Sequence, residues 1–277
     1  MACDGMLASD GEKQRRAEKV EYVTSRKNPK IAHLKRLGTS RSYRKTERAF
    51  LCDGQKLLSE AIHWGGKIQM VLLSERMKGI AKMLPKNTIV LQAPEELVQW
   101  VSPLEQAQDC LFACALPENA VPPALTGNRY AVLDSLQDPG NVGAILRTAA
   151  AFSLDGVFLT GACADLWNPK TIRATMGAVF RIPAWQTDYE TAHALLKAQN
   201  IPLYGAALRE SRWSPLDIDW NRSAVAIGNE GQGLSETLMA LCDGFVQIPM
   251  DPRCESLNAA AAAAVFFWEM AGRSAAQ

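Results

Sequence analysis

Apolar and polar positions alternate in short blocks along this chain, and the period switches repeatedly between that of a strand and that of a helix. In the front part, Ile31, Leu34 and Leu37 recur at helical spacing beside Lys30, Lys35 and Arg36, which predicts one amphipathic helix. Strands are predicted over 49–52, 68–73 and 88–91, with helices over 55–62 and 76–84. The stretch 116–128 carries Pro117, Pro122, Pro123 and Gly127 with little periodicity and reads as a linker. Beyond it, strands over 130–134, 156–160, 179–183, 202–207, 224–227 and 245–248 alternate with helices over 141–152, 169–176, 189–199, 235–241 and 256–270. Short apolar strands alternating with helices imply an α/β fold built on a mostly parallel sheet covered on both faces. The expected division is a flexible N-terminus over 1–19, a small α/β domain over 20–115, the linker, and a larger domain over 129–277.

Composition narrows the functional classes. With 277 residues, 48% of them hydrophobic, the chain can bury one or two cores. Its most hydrophobic run, 257–267 with six consecutive alanines at 259–264, is too short to span a bilayer and reads as a buried helix. The first residues lack the basic-then-apolar order of a signal peptide, so a cytoplasmic protein is expected. Seven cysteines occur without a CxxC pair, and His33, His63 and His193 lack metal-ligand spacing. No disulfide framework and no metal site are expected, and the cysteines read as small buried hydrophobes.

Charge is uneven. Residues 1–50 hold 13 Lys and Arg against 6 Asp and Glu, whereas the rest hold 17 against 23. The front can attract a polyanion, with nucleic acid the obvious partner, although a basic solvated tail fits the charge alone equally well. The candidate RNA contacts are Arg26, Lys27, Lys30, Lys35, Arg36, Arg44 and Lys45, joined by Arg147 from the larger domain.

Ligands of such sheets sit at the carboxyl ends of strands, which directs attention to the loops over 137–147, 228–235 and 249–258. In the first, LDSLQDPGNVGAILRTAAAF, Asn141 follows Pro139-Gly140 at an expected helix cap. The stripe of Val142, Ile145, Leu146, Ala149 and Phe152 leaves Arg147 roughly 160° away, facing solvent or substrate. Gly143, Ala144, Ala150 and Ala151 beside it either leave room for a ligand or serve helix packing. The second loop, AIGNEGQGLS, brings three glycines at 228, 231 and 233. Leu234 stands where a phosphate-binding loop needs lysine, and GxGxxG is absent, so nucleotide hydrolysis and hydride transfer lose support. Glu230 either accepts from a sugar hydroxyl or is a solvated acid. In the third, Ser256 reads as a cap or first-turn residue with Asn258 behind it, where free helix N–H groups point. Phe266, Phe267 and Trp268 read as core or subunit interface. No histidine lies in the three loops, which excludes a nucleophilic triad there.

Taken together, NVGAILRTAAAF at 141–152, IGNEGQGLS at 227–235, and IPM with ESLNAAAAAA within 248–264 resemble the SpoU (TrmH-like) family of RNA 2'-O-ribose methyltransferases in the SPOUT superfamily. TSRKNPKIAHLKRL at 24–37 and FLCDGQKLLSEAI at 50–62 resemble the L30e-like substrate-binding domain common in that family. The resemblance implies a deep C-terminal trefoil knot, a homodimer formed through the knotted domain, and S-adenosylmethionine as methyl donor, with no metal. It implies a donor pocket of Ala206, Leu208, Gly228, Glu230, Ile248, Met250, Leu257 and Asn258, and a catalytic set of Asn141, Arg147, Glu230, Ser256 and Asn258. The implied substrate is structured RNA, ribosomal RNA preferred; transfer RNA, or a noncatalytic RNA-binding role, are the alternatives. The chain departs from the family pattern at Pro252, commonly glycine, and Ala259, commonly valine. Arg147 is either the group that takes the hydroxyl proton or one that stabilises the alkoxide and grips a phosphate. A guanidinium is almost never deprotonated near neutral pH, which favours the second role.

Overall fold

The computed structural model describes residues 20–272 apart from 78, 106, 119–120, 208–212, 252 and 254–255. The 1–19 segment, Leu208 and Pro252 therefore lie outside the described residues. In the front unit the order is β1 (Glu21–Tyr22), α1 (Pro29–Thr39), α2 (Arg41–Glu47), β2 (Ala49–Asp53), α3 (Gln55–His63), β3 (Ile68–Ser74), β4 (Ile89–Ala93), α4 (Glu95–Val101) and β5 (Cys110–Ala115). Its sheet runs β1-β4-β3-β5-β2, with β4 parallel to β1 and β3, and β5 antiparallel to β2 and β3. Asn28 caps α1 through Lys30 N, and Ser40 both ends α1 and caps α2 through Tyr43 N. The expected helix over 76–84 is only a 3₁₀ turn at Ile80–Met83, because Gly79 turns the chain at φ 93° and Pro85 follows. The pattern also passed over α4, whose Leu97, Val98 and Val101 face the sheet, and β5.

The rear unit contains β6 (Arg129–Asp134), α5 (Pro139–Ala151), β7 (Gly156–Thr160), α6 (Pro169–Thr175), β8 (Ala184–Gln186), α7 (Tyr189–Ala198), β9 (Leu203–Ala206), β10 (Ser223–Ile227), α8 (Glu236–Leu241), β11 (Gly244–Val246) and α9 (Ala259–Gly272). Its strands are all parallel, in the order β11-β9-β10-β6-β7-β8. Every residue of β7 and β10 is buried, as a strand covered on both faces requires. The strand expected over 179–183 is instead a 3₁₀ turn at Ala178–Phe180, with β8 beginning after Pro183. Met176 and Gly177, both at positive φ, stop α6 abruptly and send Phe180 toward the front unit.

The two units share one core. On β2, Ala49 and Leu51 face α1, while Phe50 and Cys52 face the rear unit. Phe50 packs against Trp167 at 4.6 Å between ring centroids and against Phe180 at 6.2 Å. The stretch 116–128 forms no helix or strand among its described residues, but Leu125 is buried against the rear sheet. Cys52, Cys110, Cys114 and Cys163 are free and buried and Cys242 is free and half-buried; Cys3 and Cys254 lie outside the described residues. Among the described residues no helix is long and apolar enough to cross a membrane.

Candidate active site

Strands β6 and β10 pair along their whole length, and the chain leaves them in opposite directions, β6 toward β7 and β10 toward β11. A crevice opens beyond the carboxyl ends of such a pair, which is where open parallel sheets bind ligands. The three loops singled out in the sequence converge there.

The first loop starts α5 two residues earlier than the pattern suggested. Asp138 is the cap, accepting from Gly140 N at 3.3 Å and Asn141 N at 3.0 Å, with Pro139 in the first turn. Asn141 is thus not the cap, and its side chain is free for other partners. Its Nδ2 donates to Glu230 Oε1, and its Oδ1 accepts from Asn258 Nδ2 at 3.1 Å. One residue joins all three loops.

In the second loop, Asn229 and Gly233 exchange backbone hydrogen bonds of 2.9 and 2.8 Å, and Gly233 takes φ 71°. A Cβ on Gly228 would lie 2.2 Å from the Gly233 carbonyl carbon, so only glycine fits where the loop folds back. The loop is moored to its neighbour by Asn229 Nδ2, which donates to Ser135 O at 3.0 Å. In the third loop Asn258, not Ser256, caps the C-terminal helix, because its Oδ1 accepts from Ala260 N and Ala261 N. Ser256 precedes the helix and lines the crevice.

Beneath the loops lies Asp134, which the sequence reading passed over. It is 1% exposed at the end of β6 and accepts from Ser235 N at 2.7 Å, Tyr189 Oη at 2.7 Å and Ser135 Oγ at 3.0 Å. A buried carboxylate with three donors is a strong anchor, and this one ties the glycine loop to β6 and α7. The available signal was an acid closing an apolar strand immediately before a loop.

The crevice leads into a cavity of about 500 Å³, within the range of small-molecule sites. Of the expected donor residues, Ala206, Gly228, Glu230, Ile248, Met250 and Leu257 line it, and Asn258 stands beside it through Asn141. Gln247 also lines the cavity, and its buried Oε1 has no partner among the described residues. A buried acceptor without a partner is costly. An apolar cavity with such an acceptor and a glycine cradle fits S-adenosylmethionine, whose amine and hydroxyl groups are donors.

Arg147 is exposed on α5, with no hydrogen bond or ion pair among the described residues. The small residues near it serve packing: a Cβ on Gly143 would lie 2.5 Å from Ala174 Cβ and 2.6 Å from Thr171 O of α6. The basic residues of the front unit divide. Arg26, Lys27, Arg36 and Lys45 are exposed, Arg26 lying over the Trp100 ring and Arg36 over that of Tyr43. Lys30 pairs with Glu21, and Lys35 donates to Trp100 O at 2.6 Å. Arg44 is a correction. It is 5% exposed and donates to Asp165 Oδ2 at 2.6 Å and Leu37 O at 2.8 Å, so its charge clamps the two units together instead of facing RNA.

Comparison with known proteins agrees with this arrangement. Residues 128–268 match the profile of the SpoU rRNA Methylase family, and residues 28–111 that of the MRM3-like substrate binding domain. The chain is 31% identical over 255 residues to the 23S rRNA (guanosine(2553)-2'-O)-methyltransferase RlmP of Bacillus subtilis, covering 91% of this chain and 100% of that one. It is 29% identical to the 23S rRNA (uridine(2479)-2'-O)-methyltransferase of Streptomyces viridochromogenes, over 80% of this chain and 75% of the relative. The crystal structure of the AdoMet-bound rRNA methyltransferase from Sinorhizobium meliloti superposes with a TM-score of 0.81 at 28% identity, covering 92% of this chain and 98% of that chain.

Proposed function

The chain belongs to the SpoU rRNA methylase family, and we propose from this and from its site that it transfers a methyl group from S-adenosylmethionine to a ribose 2'-hydroxyl of structured ribosomal RNA. The observation that carries the reading is the chain of hydrogen bonds Asn258–Asn141–Glu230 at the mouth of the cavity. Three polar side chains from three loops meet there, which supports entry of a sugar hydroxyl at this point. Ribosomal rather than transfer RNA is supported by relatives named for 23S rRNA.

When bound, S-adenosylmethionine supplies an already activated methyl group, so the protein's part is chiefly positioning. The backbone of the glycine loop and the residues after β9 and β11 hold the donor; Gln247 Oε1 is available to one of its N–H or O–H groups. Asn141, Glu230, Ser256 and Asn258 orient the ribose. Arg147 keeps its charge, stabilises the oxygen as the hydroxyl proton leaves, and grips a neighbouring phosphate. The front unit and its exposed Arg26, Lys27, Arg36 and Lys45 take hold of the RNA.

The homodimer and the knot belong to the same proposal. Ala261, Val265 and Trp268 stand exposed at helical spacing on α9, and Trp268 packs edge-on to Phe152 of α5 at 5.8 Å. An apolar stripe of this kind suits a second copy. The return of the chain from the edge strand β11 to α9, packed on α5, supports the knotted path. The test is incubation with labelled donor and unmodified total RNA, followed by nucleoside analysis. A 2'-O-methylribonucleoside from ribosomal RNA is expected; methylation confined to bases overturns the reading.

A further inference from the structure

We propose that Arg41, Lys170 and Arg173 form a basic seam across the junction of the two units, which holds the RNA backbone between the front unit and Arg147. The proposal rests on the RNA reading above and adds Arg41, which was not among the candidate RNA contacts, and Lys170 and Arg173, which lie outside both the basic front segment and the three loops.

Helix α6 occupies the junction. It packs against β2 of the front unit on one side and against Gly143 of α5 on the other. Pro169, Thr171, Ile172 and Thr175 are its buried residues, whereas Lys170 and Arg173, three apart and so on one edge, are exposed. A chain of contacts continues this edge into the front unit. Thr171 Oγ1 donates to Asp165 O at 2.9 Å, and the Asp165 carboxylate has Arg44 at 2.6 Å and Arg41 Nε at 3.9 Å. The charge of Arg173 is felt at Asp53, at the end of β2. Burial raises that carboxyl, while hydrogen bonds from Ser102 and Gln108 and the charge of Arg173 pull it back.

Charge at the junction is therefore layered. Of the acids there, Asp53 and Asp165 are buried or nearly so, as is Arg44, and the half-buried Glu60 lies against Gly177 and is paired with Arg181. Arg41, Lys170 and Arg173 face outward. Lys45, four residues after Arg41 on α2, extends the exposed edge, and Glu47 lies roughly 200° round the helix from Lys45. On the other flank, Arg147 stands one turn beyond Gly143 on nearly the same face of α5. Cations thus run from α2 over α6 to α5 beside the catalytic loop. A ribose-phosphate chain is the partner that matches a strip of outward cations whose neighbouring acids are buried, paired or turned away.

The test measures binding of an unmodified 23S ribosomal RNA transcript to the full chain as a function of salt. The variants are Lys170→Ala, Arg41→Gln, Arg173→Gln and the triple, with Lys197→Ala on α7 as control. Each neutralisation should lower the slope of log K against log salt by roughly 0.7–0.9. The triple variant should bind about tenfold or more weakly near ~0.15 M salt, with calorimetric donor affinity unchanged. Lys170 has no side-chain partner among the described residues, so its variant reads RNA contact without a folding effect. Wild-type affinity and slope in the triple variant overturn the seam alone, as does an equal loss in Lys197→Ala. A wild-type chain that binds the transcript without salt dependence overturns both the seam and the RNA reading.

Discussion

Asn258 donates its side-chain amide to Asn141 across 3.1 Å, joining residues 117 positions apart in the chain. Asn258 also caps the C-terminal helix, so the helix start and the first loop are located by the same side chain. Asn141 in turn donates to Glu230. Removing the middle member, Asn141→Ala, should weaken donor affinity about tenfold, the scale of one lost hydrogen bond. Glu230→Gln retains an acceptor for Asn141 and should lose less than Glu230→Ala. Calorimetry with S-adenosylmethionine decides; the reverse order would show that the Asn141 contact does not shape the loop.

Arg147→Ala should reduce methyl transfer on the order of 10²-fold, comparable to loss of a preorganised oxyanion donor. Because Arg147 is exposed and the buried stripe of α5 lies elsewhere, no core cavity forms and the melt should stay near that of the wild type. Arg147→Lys restores charge without the planar fork and should recover part of the rate. Single-turnover assays at saturating donor and RNA test this; normal turnover in the alanine variant rejects the role.

Arg44→Met leaves the nearly buried Asp165 carboxylate with the Trp167 N–H and Arg41 at 3.9 Å but without its close ion pair, and should cost about 3 kcal/mol of stability. Adding Asp165→Leu removes the stranded charge and should restore much of the loss. Urea unfolding of both variants is the check, and an unchanged midpoint in Arg44→Met would show that the clamp contributes little.

Trp268→Glu places a charge in the exposed stripe of α9 and should convert a dimer to a monomer. Light scattering after size exclusion reads the mass directly. A dimeric variant would move the interface elsewhere, and a monomeric wild type would end the homodimer proposal.

The buried thiols should be inert. Burial pushes Cys110 up to about 12 and Cys163 up to about 11, so at pH 8 both stay in the protonated, unreactive form. Iodoacetamide at pH 8 should leave both unmodified in the native chain and alkylate them in urea, as mapped by mass spectrometry. Rapid native alkylation of either would contradict their burial.

Local pattern sufficed for whatever depends on neighbours in sequence. Apolar periodicity located most strands and helices, and the rule that ligands sit beyond strand ends led to Asn141, Glu230 and Asn258, because a strand followed by a loop is visible in a few residues. Caps were less legible. Asp138 and Asn141 are both good capping residues three apart, and only the extended backbone of Asp138, φ −81° and ψ 118°, shows which one begins the helix. The run over 179–183 has strand-like residues, but Gly177 and the contact of Phe180 with Phe50 bend it into a turn. Arg44 and Asp134 were beyond reach for a common reason. Their partners, Asp165 and Ser235, lie 121 and 101 residues away, and no period or spacing encodes such a pairing. The sequence alone determined which residue types stand at the strand ends. The tertiary structure decided which charges are buried between the two units and which stay in water, because burial is a property of how sheets and helices pack and not of any one segment.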